Sequence, residues 1–233
     1  DYPRTAFDVN IAGTFNVLEA CVKNNIKKLI WSSSASVYGD ATELPMTENH
    51  PFNNKNFYGA SKIAGEAMCT AFNDRYGLSV IGLRYMNVYG PNQDQTAAYT
   101  GVVPIMLNKI EANESPIING DGSQAYDFIY VEDVANCNIR ALKSDVNHGF
   151  YNVGSEVQTT IKELCEKILS LKESILKVVY NPYSKGDARS LVQNRIGSRK
   201  KAEEELGFSF NFSLEDGLKE LIKWRVKTGI DKR

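Results

Sequence analysis

In Tyr58-Gly59-Ala60-Ser61-Lys62 a phenol and an ammonium stand four residues apart, on one helix face and one turn from each other. A free tyrosine titrates near ~10, too high for a base at neutral pH. A cation alongside favours the phenolate and lowers that value, so the pair can act as a general base. The same spacing also describes an exposed aromatic beside a solvated lysine, and the neighbouring segments weigh against that. Lys28–Ser32 reads as a short buried strand running into Ser32-Ser33-Ser34-Ala35-Ser36-Val37-Tyr38-Gly39. Ser79–Arg84 reads as a second, running into Arg84-Tyr85-Met86-Asn87-Val88-Tyr89-Gly90-Pro91. The carboxyl ends of parallel strands open on the crevice where α/β sheets bind ligands. A serine placed there can donate to a substrate hydroxyl or a developing carbonyl.

The elements that must hold these groups alternate in type. Helical spacing over 8–24 precedes the first strand, and a helix over 56–76, rich in small residues, separates it from the second. Strand–helix–strand order implies βαβ units and a parallel sheet, so the fold class is α/β. After Gly90-Pro91 the pattern is less regular. Helices are expected near 101–113, 132–143, 160–171, 199–206 and 213–228, with strands near 116–118 and 126–131. Thr160-x-x-Glu163 and Ser213-x-x-Asp216 mark two helix starts. Residues 1–92 therefore form an α/β domain carrying Tyr58 and Lys62. Residues 93–233 form mainly a smaller α+β lobe packed on it. His50 and His148 fall on expected loops, with surface roles.

Composition removes other classes. The 233 residues carry 24% charged side chains and a net charge of −1, without the basic patch of a nucleic-acid binder. No apolar run approaches the roughly 18 residues of a membrane span. Cys21, Cys69, Cys137 and Cys165 are widely spaced, with no CxxC and two histidines in all. That argues against a metal site or a disulfide framework and fits reduced thiols in the cytoplasm.

Taken in order, the segments resemble the extended short-chain dehydrogenase/reductase family, in its nucleotide-sugar epimerase/dehydratase branch. Asn10-Ile11-Ala12-Gly13-Thr14 with Val17-Leu18-Glu19-Ala20, then Ser32–Gly39, Tyr58-x-x-x-Lys62, Arg84–Pro91, Gly120-Asp121-Gly122, Asp127–Val134 and Leu206-Gly207-Phe208 follow in family order across nearly the whole chain. The resemblance implies that residues 1–92 are part of a Rossmann-like NAD-binding domain and that 93–233 are mainly a substrate-binding lobe, with segments returning to the sheet. It implies NAD as cofactor and a nucleotide sugar, a UDP-hexose above all, as substrate. It implies Tyr58 as the base for a sugar hydroxyl, and Lys62 as the holder of the nicotinamide ribose that also depresses the tyrosine pKa. Ser34 is then the third member of a catalytic triad. Tyr85 and Met86 lie near the nicotinamide, while Asn87, Asn119 and Asp187 belong to the substrate site. A homodimer through the helix bearing Tyr58 and Lys62 is implied as well. Family dehydratases carry an acidic pair beside the residue matching Ser34. Ser34-Ala35-Ser36 has no acid, so the chain resembles epimerases, acting at C4 through a transient keto sugar. A UDP-glucuronate decarboxylase, a keto-sugar reductase or a non-catalytic family member are the alternatives.

Two positions depart from the family pattern. The glycine-rich phosphate loop after a first strand is absent, and the first glycine is Gly13. This suggests an N-terminal truncation of about two βαβ units, on the order of 70–80 residues. The family arginine before Asp127, used on the diphosphate, is Tyr126, and Arg-Pro-Gly-Asp is replaced by Ser184-Lys185-Gly186-Asp187. The lost charge falls to Arg189 or Arg195.

Overall fold

In the computed structural model, which describes residues 3–94, 101–183 and 192–230, the chain enters as one long helical run. Pro3–Ala6 (α1) and Gly13–Lys23 (α2) are α-helical, and Phe7–Ala12 between them winds as a π-helix. Strand β1 (Lys28–Ser34) follows, then a 3₁₀ turn over Ala35–Val37, helix α3 (Phe57–Tyr76) and strand β2 (Ser79–Tyr85). The two strands pair in parallel with Ser34 opposite Tyr85, and α3 is the crossover that such pairing requires. The third strand of this sheet, β6 (His148–Val153), lies parallel to β2. It comes from the second half of the chain, so the sheet draws on residues well beyond 92.

The central strand β2 is buried along almost its whole length because both faces are covered. On one side Val80 packs with Leu18, Trp31, Cys69 and Phe72, beneath α2 and α3. On the other, Ile81 and Leu83 pack with Val134, Cys137 and Ala202, which belong to α5 (Val131–Lys143) and α7 (Lys200–Leu206). This doubly covered parallel sheet is the expected α/β, Rossmann-like arrangement.

The second lobe is built on β5 (Ala125–Tyr130). β3 (Asn87–Tyr89) and β9 (Asn194–Arg195) run parallel to it and β7 (Gln158–Thr160) antiparallel. β4 (Ile117–Asn119) and β8 (Val179–Asn181) form a separate parallel pair. Helices α4 (Val102–Glu111), α6 (Ile161–Leu171) and α8 (Leu214–Thr228) close a core around Leu107, Phe128, Leu164 and Leu218. The capping box at α6 forms as its sequence requires: Thr160 Oγ1 accepts from Glu163 N at 3.1 Å, and the Glu163 carboxylate accepts from Thr160 N at 2.8 Å. Ser213 caps α8.

The histidine expectation needs correction. His50 is 2% exposed, because the turn-rich stretch after Tyr38 folds back over the protein. Its Nε2 accepts from Thr42 N at 2.9 Å, and Nδ1 lies 2.9 Å from the Pro51 carbonyl. His148 opens β6 instead of lying in a loop, with Nδ1 2.8 Å from the Val80 carbonyl.

Candidate active site

The first turn of α3 is placed by two residues. Asn56 caps it, its side chain accepting from Gly59 N at 2.7 Å. At Gly59 a Cβ would fall 2.5 Å from the Ser36 carbonyl oxygen, so only glycine lets the helix press onto the turn that follows Ser34. The contact brings Tyr58 and Ser34 to one cavity of about 320 Å³, which Tyr85, Met86 and Asn87 also line. Ends of β1 and β2, the start of α3 and the edge of the second lobe thus meet at the carboxyl edge of the sheet.

Tyr58 is 46% exposed. Lys62, one turn on, donates from Nζ to the Ser32 carbonyl at 2.8 Å and lies 5.0 Å from the Trp31 ring and 5.6 Å from the Tyr58 ring. Burial pushes its ammonium below the ordinary lysine value, against a smaller opposing influence from Cys69. Ser34 Oγ accepts from Ser36 N at 3.1 Å, which leaves its own proton free to be donated. Tyr85 Oη donates to Asn138 Oδ1 at 2.9 Å, and Asn87 Nδ2 donates to the Asp127 carbonyl at 3.2 Å. Met86 is buried. Asn119, by contrast, is exposed at the end of β4 and is not among the cavity residues. Asp187 and Arg189 lie outside the described residues.

Behind the cavity runs a buried polar network that spacing alone does not show. Arg84 grips Glu66 with two hydrogen bonds, Nε to Oε1 at 2.8 Å and Nη2 to Oε2 at 2.7 Å, and its Nη1 donates to Tyr38 Oη at 2.7 Å. Ser33 Oγ donates to the same carboxylate at 2.5 Å. Ser33 precedes Ser34, Arg84 precedes Tyr85, and Glu66 lies one turn beyond Lys62, so the network fixes all three elements that supply the site. A second brace comes from the π-helix: Asn10 Nδ2 donates to Ser61 Oγ at 3.0 Å, and Ser61 Oγ donates to the Tyr58 carbonyl at 2.7 Å. Among the described residues two side-chain atoms, Gln93 Oε1 and Arg195 Nε, are sealed from solvent with no hydrogen-bond partner. Gln93 lines the cavity. No three His, Cys, Asp or Glu side chains gather as a metal site among the described residues.

Residues 1–154 match the NAD dependent epimerase/dehydratase family. A Methanocaldococcus jannaschii protein assigned as a UDP-glucose 4-epimerase is 37% identical over 218 residues, spanning 93% of this chain and 69% of that protein. The UDP-N-acetyl-alpha-D-glucosaminuronate decarboxylase of Bacillus cytotoxicus is 33% identical over 229 residues, with 93% and 69% covered. The crystal structure of Thermotoga maritima UDP-glucose 4-epimerase with UDP-glucose superposes with a TM-score of 0.89 at 34% identity, covering 97% of this chain and 71% of that one.

Proposed function

The chain belongs to the NAD dependent epimerase/dehydratase family, and from that premise we propose that it epimerises a UDP-hexose at C4 with NAD as cofactor. The observation that carries the proposal is Tyr58, with Lys62 beside it, sharing a cavity with Ser34. The donor set fits the nicotinamide-ribose end of the cofactor. An ammonium has three N–H donors, and Lys62 commits one of them, to the Ser32 carbonyl, so two remain for ribose hydroxyls.

When bound, NAD supplies hydride uptake and return at the sugar carbon. The chain's own part is proton handling and position. The Lys62 charge favours Tyr58 as the phenolate, whose Oη takes the proton of the 4-hydroxyl and becomes the phenol, and Ser34 Oγ donates to the sugar oxygen as it becomes a carbonyl. Tyr58 returns the proton once the sugar has turned its opposite face in the cavity. Ser34-Ala35-Ser36 offers no acid to expel water, which separates this chemistry from dehydration. In this reading Asn87 meets the substrate, and Tyr85 and Met86 border the nicotinamide; that all three line the cavity supports it.

Decarboxylation of a UDP-hexuronate shares the oxidation and is the second reading, favoured by the Bacillus cytotoxicus relative. We also infer a homodimer through α2 and α3, where Phe15 and Tyr76 are 45% and 58% exposed. Gly59, Ser61 and Gly65 are buried within the chain itself, so only the outer part of the small-residue face is free for that contact. A cytoplasmic location agrees with four buried free cysteines, and no described helix is long and apolar enough to cross a membrane.

The test supplies NAD⁺ and UDP-glucose and follows UDP-galactose by its anomeric proton, with Tyr58→Phe alongside. Galactose that appears with the parent and not with the variant supports the proposal. A pentose in the UDP-glucuronate reaction moves the reading to decarboxylation. No turnover of any UDP- or dTDP-hexose would make the protein non-catalytic.

A further inference from the structure

Arg195 on β9 stands directly opposite Tyr126 on β5 in a parallel pair. Opposed residues of such a pair project to the same side, and residues two apart on a strand share a face. Arg195 therefore projects from the face of Tyr126 and Phe128. That face borders the cavity: Phe128 lines it, and the Tyr126 ring, which like Arg195 lies just behind the lining, packs edge-on against Phe128 with centroids 6.4 Å apart. Tyr58 lies within electrostatic reach of the guanidinium.

The guanidinium has nothing to hold. Its Nε is sealed from solvent without a partner, and among the described residues it forms none of the ion pairs. Asp40, the carboxylate that acts on it, is committed elsewhere: it accepts from Gln193 N and Asn194 N at 2.9 and 3.1 Å and faces Lys55 at 3.9 Å. Tyr126 Oη is likewise engaged, donating to the Val192 carbonyl at 2.7 Å. The two fully buried arginines are matched in full, Arg84 by Glu66 and Arg225 by Glu111. An enclosed cation without an anion destabilises the chain that carries it. A ligand that brings the anion removes the penalty and gives the unpartnered Nε an acceptor.

We propose that Arg195, beside this cavity, is a substrate-binding residue, its guanidinium taking an oxyanion of the nucleotide sugar. This rests on the nucleotide-sugar reading above. Diphosphate oxygens and a hexuronate carboxylate present the same paired acceptors to a guanidinium, and the experiment separates them. Calorimetric binding of uridine, UDP, UDP-glucose and UDP-glucuronate to the NAD⁺-loaded protein is compared for the parent, Arg195→Gln and Arg195→Lys. Glutamine is expected to weaken the relevant ligands about ten- to a hundredfold, with lysine between. Without ligand the glutamine variant melts no lower than the parent, since an unmatched cation has been removed.

A loss shared by UDP and both UDP-sugars, but not by uridine, assigns Arg195 to the diphosphate. A loss confined to UDP-glucuronate assigns it to the carboxylate. A glutamine variant that binds all four like the parent, while the parent still epimerises, overturns the assignment and leaves the epimerase standing. A variant that melts several degrees lower and loses uridine equally makes Arg195 structural and also overturns it. A parent that binds none of the four overturns both readings.

Discussion

Exchanging Glu66 for glutamine removes one charge from an ion pair whose side chains are 5% and 4% exposed, Arg84 and Glu66 respectively. The carboxylate takes three donors, two from Arg84 and one from Ser33. An amide keeps one acceptor oxygen and turns an NH₂ toward the guanidinium, so a donor meets a donor and the buried charge loses its counterion. Breaking a buried pair in this way costs about 3–5 kcal/mol, out of a total stability of about 5–15 kcal/mol. For a chain of this size each kcal/mol lowers Tm by about 2–4 °C, which gives a fall of about 6–20 °C. Urea denaturation of the parent, Glu66→Met, Arg84→Met and the double variant closes a thermodynamic cycle around the pair. The double variant removes both charges at once and is expected to cost several kcal/mol less than the sum of the singles, on the order of the 3–5 kcal/mol pair itself. Single costs below about 1 kcal/mol, the range of surface pairs, or a double equal to the sum, would refute the reasoning.

Three further outcomes follow from other parts of the structure. Gly59→Ala drives a Cβ against the Ser36 carbonyl; a cost of about 1–3 kcal/mol and a lower kcat from the displaced Tyr58 are expected, read by urea midpoint and turnover. Lys62 must keep its proton to serve, and burial lowers its pKa from the ordinary 10.5. The ammonium is lost as pH rises through that lowered value, so kcat/KM declines on the alkaline side before pH 10.5, and a profile flat beyond it contradicts the role. Asp133, fully buried, accepts from Asn211 N, Asn211 Nδ2 and Phe212 N and so ties the approach to α8 onto α5. Asp133→Ala leaves those donors unmatched and is expected to cost at least about 2 kcal/mol by denaturant midpoint.

What the sequence made legible was local. Long helices with caps, and the strands β1, β2 and β5, appear where their patterns place them, and Tyr58, Lys62 and Ser34 converge because βαβ order forces strand ends and helix start together. β6, six residues long, escaped that reading because its His-Gly start looks like a loop. What it hid depends on contacts far apart in the chain. Strands of two or three residues such as β3, β7 and β9 carry no readable period, yet β9 decides where Arg195 points. Asn10 braces Tyr58 across 51 positions from Ser61, through a π-helix that no residue pattern announces. Glu66 and Arg84 look like surface charges in a helix and a strand until the fold buries them together. Tyr126 stands as an isolated departure from the family pattern until its register beside Arg195 is seen.

The central claim, oxidation and return at one sugar carbon with Tyr58 as the proton carrier, is tested most directly with UDP-glucose deuterated at C4, NAD⁺ and the protein in ordinary water. The account predicts UDP-galactose that keeps its deuterium at C4, and no conversion by Tyr58→Phe. Product with a C4 proton drawn from solvent, or a phenylalanine variant as fast as the parent, would contradict it.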